Sequence, residues 1–197
     1  MKKIVAAIIG LIGLFSVSCR VCTYTQSENK TCMQFVEHLT VVDKILNDTI
    51  LYGWCARRMR PEDDINAYHL LYDTGTWYRP YYLNYYRFDS ADPIHKEDVV
   101  DTTLLCRCWG IEKDSFQPHI NKVCKYLREI TNGYNIYEMQ FFKFGFYVFE
   151  SHDGWKIIYQ RDTVLKDAKQ QEFKSKVFPS YSQIGNTRFW VLTDEEK

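Results

Sequence analysis

The chain has 197 residues with 25 Lys and Arg against 25 Asp and Glu, so its formal charge is zero and the basic excess on which many nucleic-acid binders rely is absent. With 46% hydrophobic and 25% charged residues it carries too many core formers for a disordered segment, and its length suits one domain whose core needs no metal or disulfide staple. The unusual figures are 16% aromatic residues and seven cysteines.

Lys2 and Lys3 form a positive start, Ile4 to Phe15 is an unbroken run of apolar residues and glycine, and Ser16-Val17-Ser18-Cys19 follows directly. This order reads as a secretory signal over residues 1–18. The apolar run is shorter than the ~20 residues a membrane-spanning helix needs, so a permanent span is not expected. The segment resembles the signals of bacterial lipoprotein precursors, in which small residues precede a cysteine that is lipidated and becomes the new N-terminus. That resemblance implies lipidation at Cys19, a membrane contact through the lipid anchor, and a place in the bacterial cell envelope, periplasmic or surface-exposed. Ser16 stands where the pattern usually carries Leu. Ser16 and Ser18 also satisfy the small-x-small rule of ordinary signal peptidase, which cuts at the same bond and leaves Cys19 unmodified and the protein secreted. Removing residues 1–18 takes away two lysines and no acid, leaving a net charge of −2, too small for strong electrostatic steering.

Residues 19–30 are mostly polar and read as a tether, and 31–197 as a single domain. From Cys32 the apolar positions Phe35, Leu39, Val42, Leu46 and Ile50 step by three and four, which predicts a helix with one buried stripe. Asn47-Asp48-Thr49 breaks it and caps a second piece running to Arg60, where Pro61 ends it. Tyr68 to Tyr72 and Thr76 to Phe88, on either side of Asp73-Thr74-Gly75, read as a hairpin. Residues 94–109 suit either structure: Pro93 begins a helix, whereas the alternating Leu and Cys suit a strand. Ile120, Val123, Cys124, Leu127 and Ile130 make a second helical stripe between Pro118 and Asn132-Gly133. Tyr134 to Glu150 reads as a strand, Ser151-His152-Asp153-Gly154 as a turn, and Trp155 to Tyr159 as the return. Val164 to Phe173 suits a short helix and Thr187 to Thr193 a closing strand. This order predicts an α+β fold with N-terminal helices packed on one face of a mainly antiparallel β-sheet. Gly154-Trp155-Lys156-Ile157 faintly resembles the late strands of the cystatin-like and nuclear-transport-factor-like folds. The likeness spans a handful of residues and implies no function.

With Cys19 acylated, Cys22, Cys32, Cys55, Cys106, Cys108 and Cys124 remain, an even set that an oxidising envelope would pair into disulfides of open connectivity. Cys106 and Cys108 stand too close along the chain to bridge each other. A four-cysteine zinc site from Cys19-x-x-Cys22 and Cys106-x-Cys108 fails because one intervening residue is shorter than zinc-ligand spacing, so no metal or other cofactor is expected.

The catalytic motifs are weak. Tyr72-Asp73-Thr74-Gly75-Thr76 resembles the Asp-Thr-Gly loop of aspartic proteases, and Gln183-Ile184-Gly185 resembles that family's later apolar-apolar-Gly element. Such a protease needs two carboxylates, hence a dimer about Asp73, and an ordinary turn explains the same residues. There is no Gly-x-Ser-x-Gly elbow and no His-Glu-x-x-His. His119 and Cys124 lie on one helix but diverge by ~140°, which rules out a dyad between them.

The aromatic segment from Trp77 to Phe88 is the best candidate binding feature. Its rings fall on both faces of any strand, so one face goes to the core. The other is either covered as well, by the sheet's further contacts, or offers Trp77, Tyr81, Tyr82, Tyr85 and Tyr86 with Arg79, a chemistry suited to stacking on a glycan or to a protein ligand. The sequence therefore points to a noncatalytic binding module of the cell envelope. The alternatives are a hydrolase of unrecognised type, or a periplasmic immunity or inhibitor lipoprotein.

Overall fold

The computed structural model of the protein describes residues 30–58, 67–72, 81–87, 102–162 and 168–193, with 81–87 taken as backbone only. The signal, Cys19, Cys22, Asp73-Thr74-Gly75, Trp77 and Arg79 lie outside the described residues. Eight strands form one sheet in the order β3-β2-β1-β4-β5-β6-β8-β7. They are β1 (Trp54–Arg57), β2 (Ala67–Tyr72), β3 (Tyr81–Arg87), β4 (Ile136–Phe141), β5 (Phe146–Ser151), β6 (Lys156–Gln160), β7 (Tyr181–Gln183) and β8 (Phe189–Leu192). Every neighbouring pair is antiparallel. The described helices are α1 (Lys30–Val41), α2 (Asp43–Leu46), α3 (Thr102–Trp109), α4 (Phe116–Thr131) and α5 (Ala168–Val177). No described helix is long and apolar enough to cross a membrane.

The α+β reading holds; the second stripe predicted from periodicity forms α4, while the first breaks at Val42 and is shared by α1, α2 with Leu46, and a 3-10 turn with Ile50. Cys32, Phe35, Val36 and Leu39 bury one face of α1, where the Phe35 ring meets Trp155 at 5.1 Å and Phe149 at 5.7 Å between centroids. Ile120, Val123, Cys124, Leu127 and Ile130 do the same for α4. That helix ends where Asn132 turns left-handed at φ 41° and its N–H bonds the Arg128 carbonyl, followed by Gly133 at φ 82°. A His38 ring nitrogen donates to the Glu129 carbonyl at 2.8 Å and ties α1 to α4.

Helices cover both faces of the sheet, not one. On β5, Tyr147 and Phe149 join the core under α1 and α4, while Phe146 and Val148 face a second cluster with Phe173 of α5 and Phe178. Because β5 is buried on both sides it reads as a continuous apolar run.

Three local expectations need correction. Residues 54–57 form a strand and not the end of a helix, because Asp48 caps only a single 3-10 turn, Thr49–Leu51, and Gly53 then reverses the chain at φ 82°. As β1 the segment has partners on both sides, β2 and β4, which satisfy its main chain better than one helical turn would. The stretch 134–150 is two strands, β4 and β5, joined by a tight turn at Phe142–Gly145 whose only turn residue in the sequence is Gly145. Finally, no disulfide joins the described cysteines: Cys32, Cys55, Cys106, Cys108 and Cys124 all carry thiols. Cys32 and Cys124 are packed wholly inside the core as small apolar groups. Residues 102–109, open between helix and strand, are helical, and β7 had no signal in the sequence.

An aromatic cleft as the candidate functional site

On the side covered by α1 and α4, the end of β2, the 3-10 turn, α3 and α4 line a cleft of about 380 Å³. Local sequence sets each wall. Asp48 ends the α1–α2 segment by accepting the Ile50 amide at 3.0 Å, which turns its second oxygen toward α4. On α4, His119, Lys122 and Tyr126 recur at i, i+3 and i+7, the polar stripe beside the buried one. Lys122 Nζ and the Tyr126 hydroxyl both reach Asp48 Oδ2, at 2.9 Å each. Burial alone would raise the Asp48 carboxyl; the Ile50 amide, Lys122 and Tyr126 outweigh it and hold the pKa below the usual carboxylate range.

The opposite wall is aromatic. Trp109, the last residue of α3, stacks on the His119 imidazole with centroids 4.3 Å apart and planes within 14°. Tyr72 meets Trp109 edge-on at 5.6 Å, and Tyr52 lines the floor. Burial, and then the Lys122 charge, push His119 below its usual pKa, with Asp48 offsetting part of the effect. The imidazole is thus held neutral. The Tyr52 hydroxyl, Trp109 Nε1 and His119 Nε2 are buried without a hydrogen-bond partner, three under-used polar atoms around one cleft. Cys108 places an exposed thiol at the rim.

Of the residues singled out in the sequence, Tyr81, Tyr82, Tyr85 and Tyr86 fall on β3, the sheet's edge strand. Its register sets Tyr81 opposite Tyr72 and Tyr82 opposite Leu71. The cleft's own polar residues, Asp48, His119 and Lys122, were not predicted as a site. The one signal the sequence held for it is the polar i, i+3, i+7 stripe on α4, which went unread beside the apolar one. His119 faces the cleft while Cys124 lies in the core, its thiol pushed up to about 12 by burial, so the divergence expected of that pair is what the helix produces. Cys55 is raised further by burial and by Glu138, and Cys32 to about 12 by burial. These three thiols stay protonated and are poor nucleophiles. Among the described residues no cluster of His, Cys, Asp and Glu has the arrangement of a metal site.

No family model, no curated protein and no solved structure matches the chain.

Proposed function

We propose that the protein is an exported, lipid-anchored component of the bacterial cell envelope that binds rather than catalyses, and that its aromatic cleft takes a neutral sugar ring. The basic start, the apolar run and the small residues before Cys19 support export and anchoring, with residues 19–30 as the tether between lipid and domain. One observation carries the binding assignment. The Asp48 carboxylate and Lys122 ammonium, 2.9 Å apart, form a charge-balanced pair in a cleft lined also by Trp109, His119, Tyr72 and Tyr52. Sugar hydroxyls both donate and accept, so they suit a wall offering a carboxylate, an ammonium and a neutral imidazole together. The apolar face of a pyranose suits aromatic rings, and the mutually neutralised Asp48–Lys122 pair leaves neither charge free for a strongly ionic ligand.

The test is a glycan array followed by calorimetry on the mature domain with the best neutral hit. Lys122→Met, at a half-exposed position, should weaken binding at least tenfold, about 1.4 kcal/mol, without unfolding the protein. Absence of any saturable neutral glycan, or equal affinity in Lys122→Met, would overturn the assignment. Anchoring is tested separately: Cys19→Ser should shift the protein out of the membrane fraction.

A second reading, a thiol-dependent hydrolase, draws on the fact that Cys108 and His119 line the same cleft. It requires Cys108 to be alkylated by iodoacetamide much faster than a free thiol, and an ordinary rate would exclude it.

A further inference from the structure

Among the described residues, the other face of the sheet is covered by α5 over β5, β6 and β8, in a layer that reaches Phe142. Beyond it, over β1, β2 and β4, lies an open groove of about 300 Å³ that includes Gly53, Cys55, Leu71, Gln140 and Phe142, with Arg57 and Glu138 at one end. Its lining is mainly apolar apart from that end.

Arg57 and Glu138 stand opposite each other in the β1–β4 register. Glu138 is nearly buried, with 5% of its side chain exposed. Its four contacts use both oxygens. Oε2 accepts from Arg57 Nε at 3.0 Å and Nη2 at 2.6 Å, and Oε1 accepts from Gln140 Nε2 at 2.5 Å and from the Cys55 thiol at 3.4 Å. The carboxylate is therefore saturated and acts as a brace. Arg57, by contrast, is 43% exposed. A guanidinium has five N–H bonds, and only two of these meet an acceptor among the described residues. The remaining N–H edge is held in a fixed plane by the brace and by the Tyr137 ring, 5.6 Å from the guanidinium carbon. The next acid along the row, Glu150 opposite Glu138, is already paired with Lys156.

We propose that this groove binds a small amphipathic carboxylate, its alkyl or aryl body lying on Leu71 and Phe142 and its head group taken by the outward edge of Arg57. A rigid planar fork matches the two oxygens of a carboxylate. A single arginine backed by a glutamate suits a monoanion better than a phosphate dianion. The apolar lining requires a hydrophobic body behind the head group. A peptide fits poorly because β1 is hydrogen-bonded to strands on both sides and offers no main-chain edge. This site shares no side chain with the aromatic cleft, so it stands whether or not that cleft binds sugar.

The experiment is calorimetric titration of the mature domain with decanoate, decanol and acetate, each below its aggregation limit. Decanoate should bind with a Kd below about 1 mM, decanol at least tenfold more weakly, and acetate not measurably. In the double variant Arg57→Gln/Glu138→Gln, which removes both charges and so strands neither, decanoate and decanol should bind alike. Equal affinities in the unaltered protein, no saturable decanoate binding, or a decanoate preference that survives in the double variant would each overturn the proposal. Should the double variant fail to fold, the comparison of decanoate with decanol on the unaltered protein decides the matter alone.

Discussion

Removing one partner of the Arg57–Glu138 pair should cost different amounts depending on which partner goes. In Glu138→Ala the charge left behind is Arg57, whose side chain is 43% exposed, so water replaces the lost acceptor. What remains to be lost is a charge-assisted hydrogen-bond set worth about 1.5–3 kcal/mol, and the Cys55 thiol contributes little to it. In Arg57→Ala the charge left behind is a carboxylate only 5% exposed, supported by Gln140 and a weak thiol donor. That is the case of a stranded buried charge, about 3–5 kcal/mol. Arg57→Ala should therefore be the worse variant by roughly 1–2 kcal/mol, and Arg57→Gln/Glu138→Gln should cost less than either alanine variant. Urea unfolding of the three variants against the unaltered protein measures both quantities. Equal costs, or a greater cost for Glu138→Ala, would refute the view that Glu138 is the buried brace and Arg57 the solvent-facing group.

A Cβ on Gly145, at φ 87°, would lie 2.9 Å from Asp162 Oδ2, so the Asp162 carboxylate must swing aside to admit it. Gly154, at φ 88°, has open space. Gly154→Ala should then show only the left-handed penalty of about 1–2 kcal/mol, and Gly145→Ala that penalty plus the cost of moving the Asp162 carboxylate off Arg161 and Gln170, compared by thermal melts. Asp48 and His119 both have folded pKa values below their ordinary ones. The folded state thus disfavours protonating either, so their contribution is complete above pH about 6.5. It falls as pH drops, first through the His119 range and then through that of Asp48, and Lys122→Met should raise both pKa values in an NMR titration. Thiol titration of the native protein should label Cys108 promptly and reach Cys32 and Cys124 only on unfolding; rapid native labelling of all of them would contradict the packing.

The helical stripes of α1 and α4 were legible because a 3.6-residue period survives in any environment that buries one face. The stop at Asn132-Gly133 was legible because a left-handed cap needs those residues. The segment from Trp54 to Arg57 was not, since four residues following helical periodicity carry no period of their own. Its conformation is decided by β2 and β4, far away in sequence. The break in 134–150 was hidden for a related reason: Phe142 and Phe144 look like strand residues, yet they stack on each other at 5.0 Å and pack against Phe173. The aromatic abundance pointed to a binding ribbon, but most of the rings described lie in the core, Tyr68, Tyr147 and Tyr159 among them. The cleft draws on Trp109, Tyr52 and Tyr72 from three separate segments, which no local pattern can bring together.

Two depressions on opposite faces of one sheet follow from strand geometry. Successive side chains point to opposite sides, so β2 gives Tyr72 to the aromatic cleft and Leu71 to the groove, while β1 gives Cys55 and Arg57 to the groove and turns Ala56 into the core. The two sites share backbone and no side chains. A one-residue slip of β2 against β1 would exchange its contributions to both at once, and the ladder pairing Leu71 with Cys55 and His69 with Arg57 is what prevents it. The buried run Trp54, Ala56, Leu70 and Tyr72 fixes that ladder by packing in the core under α1 and α4. The core thus sets the position of each site, and each can be altered by substitution without reaching the other.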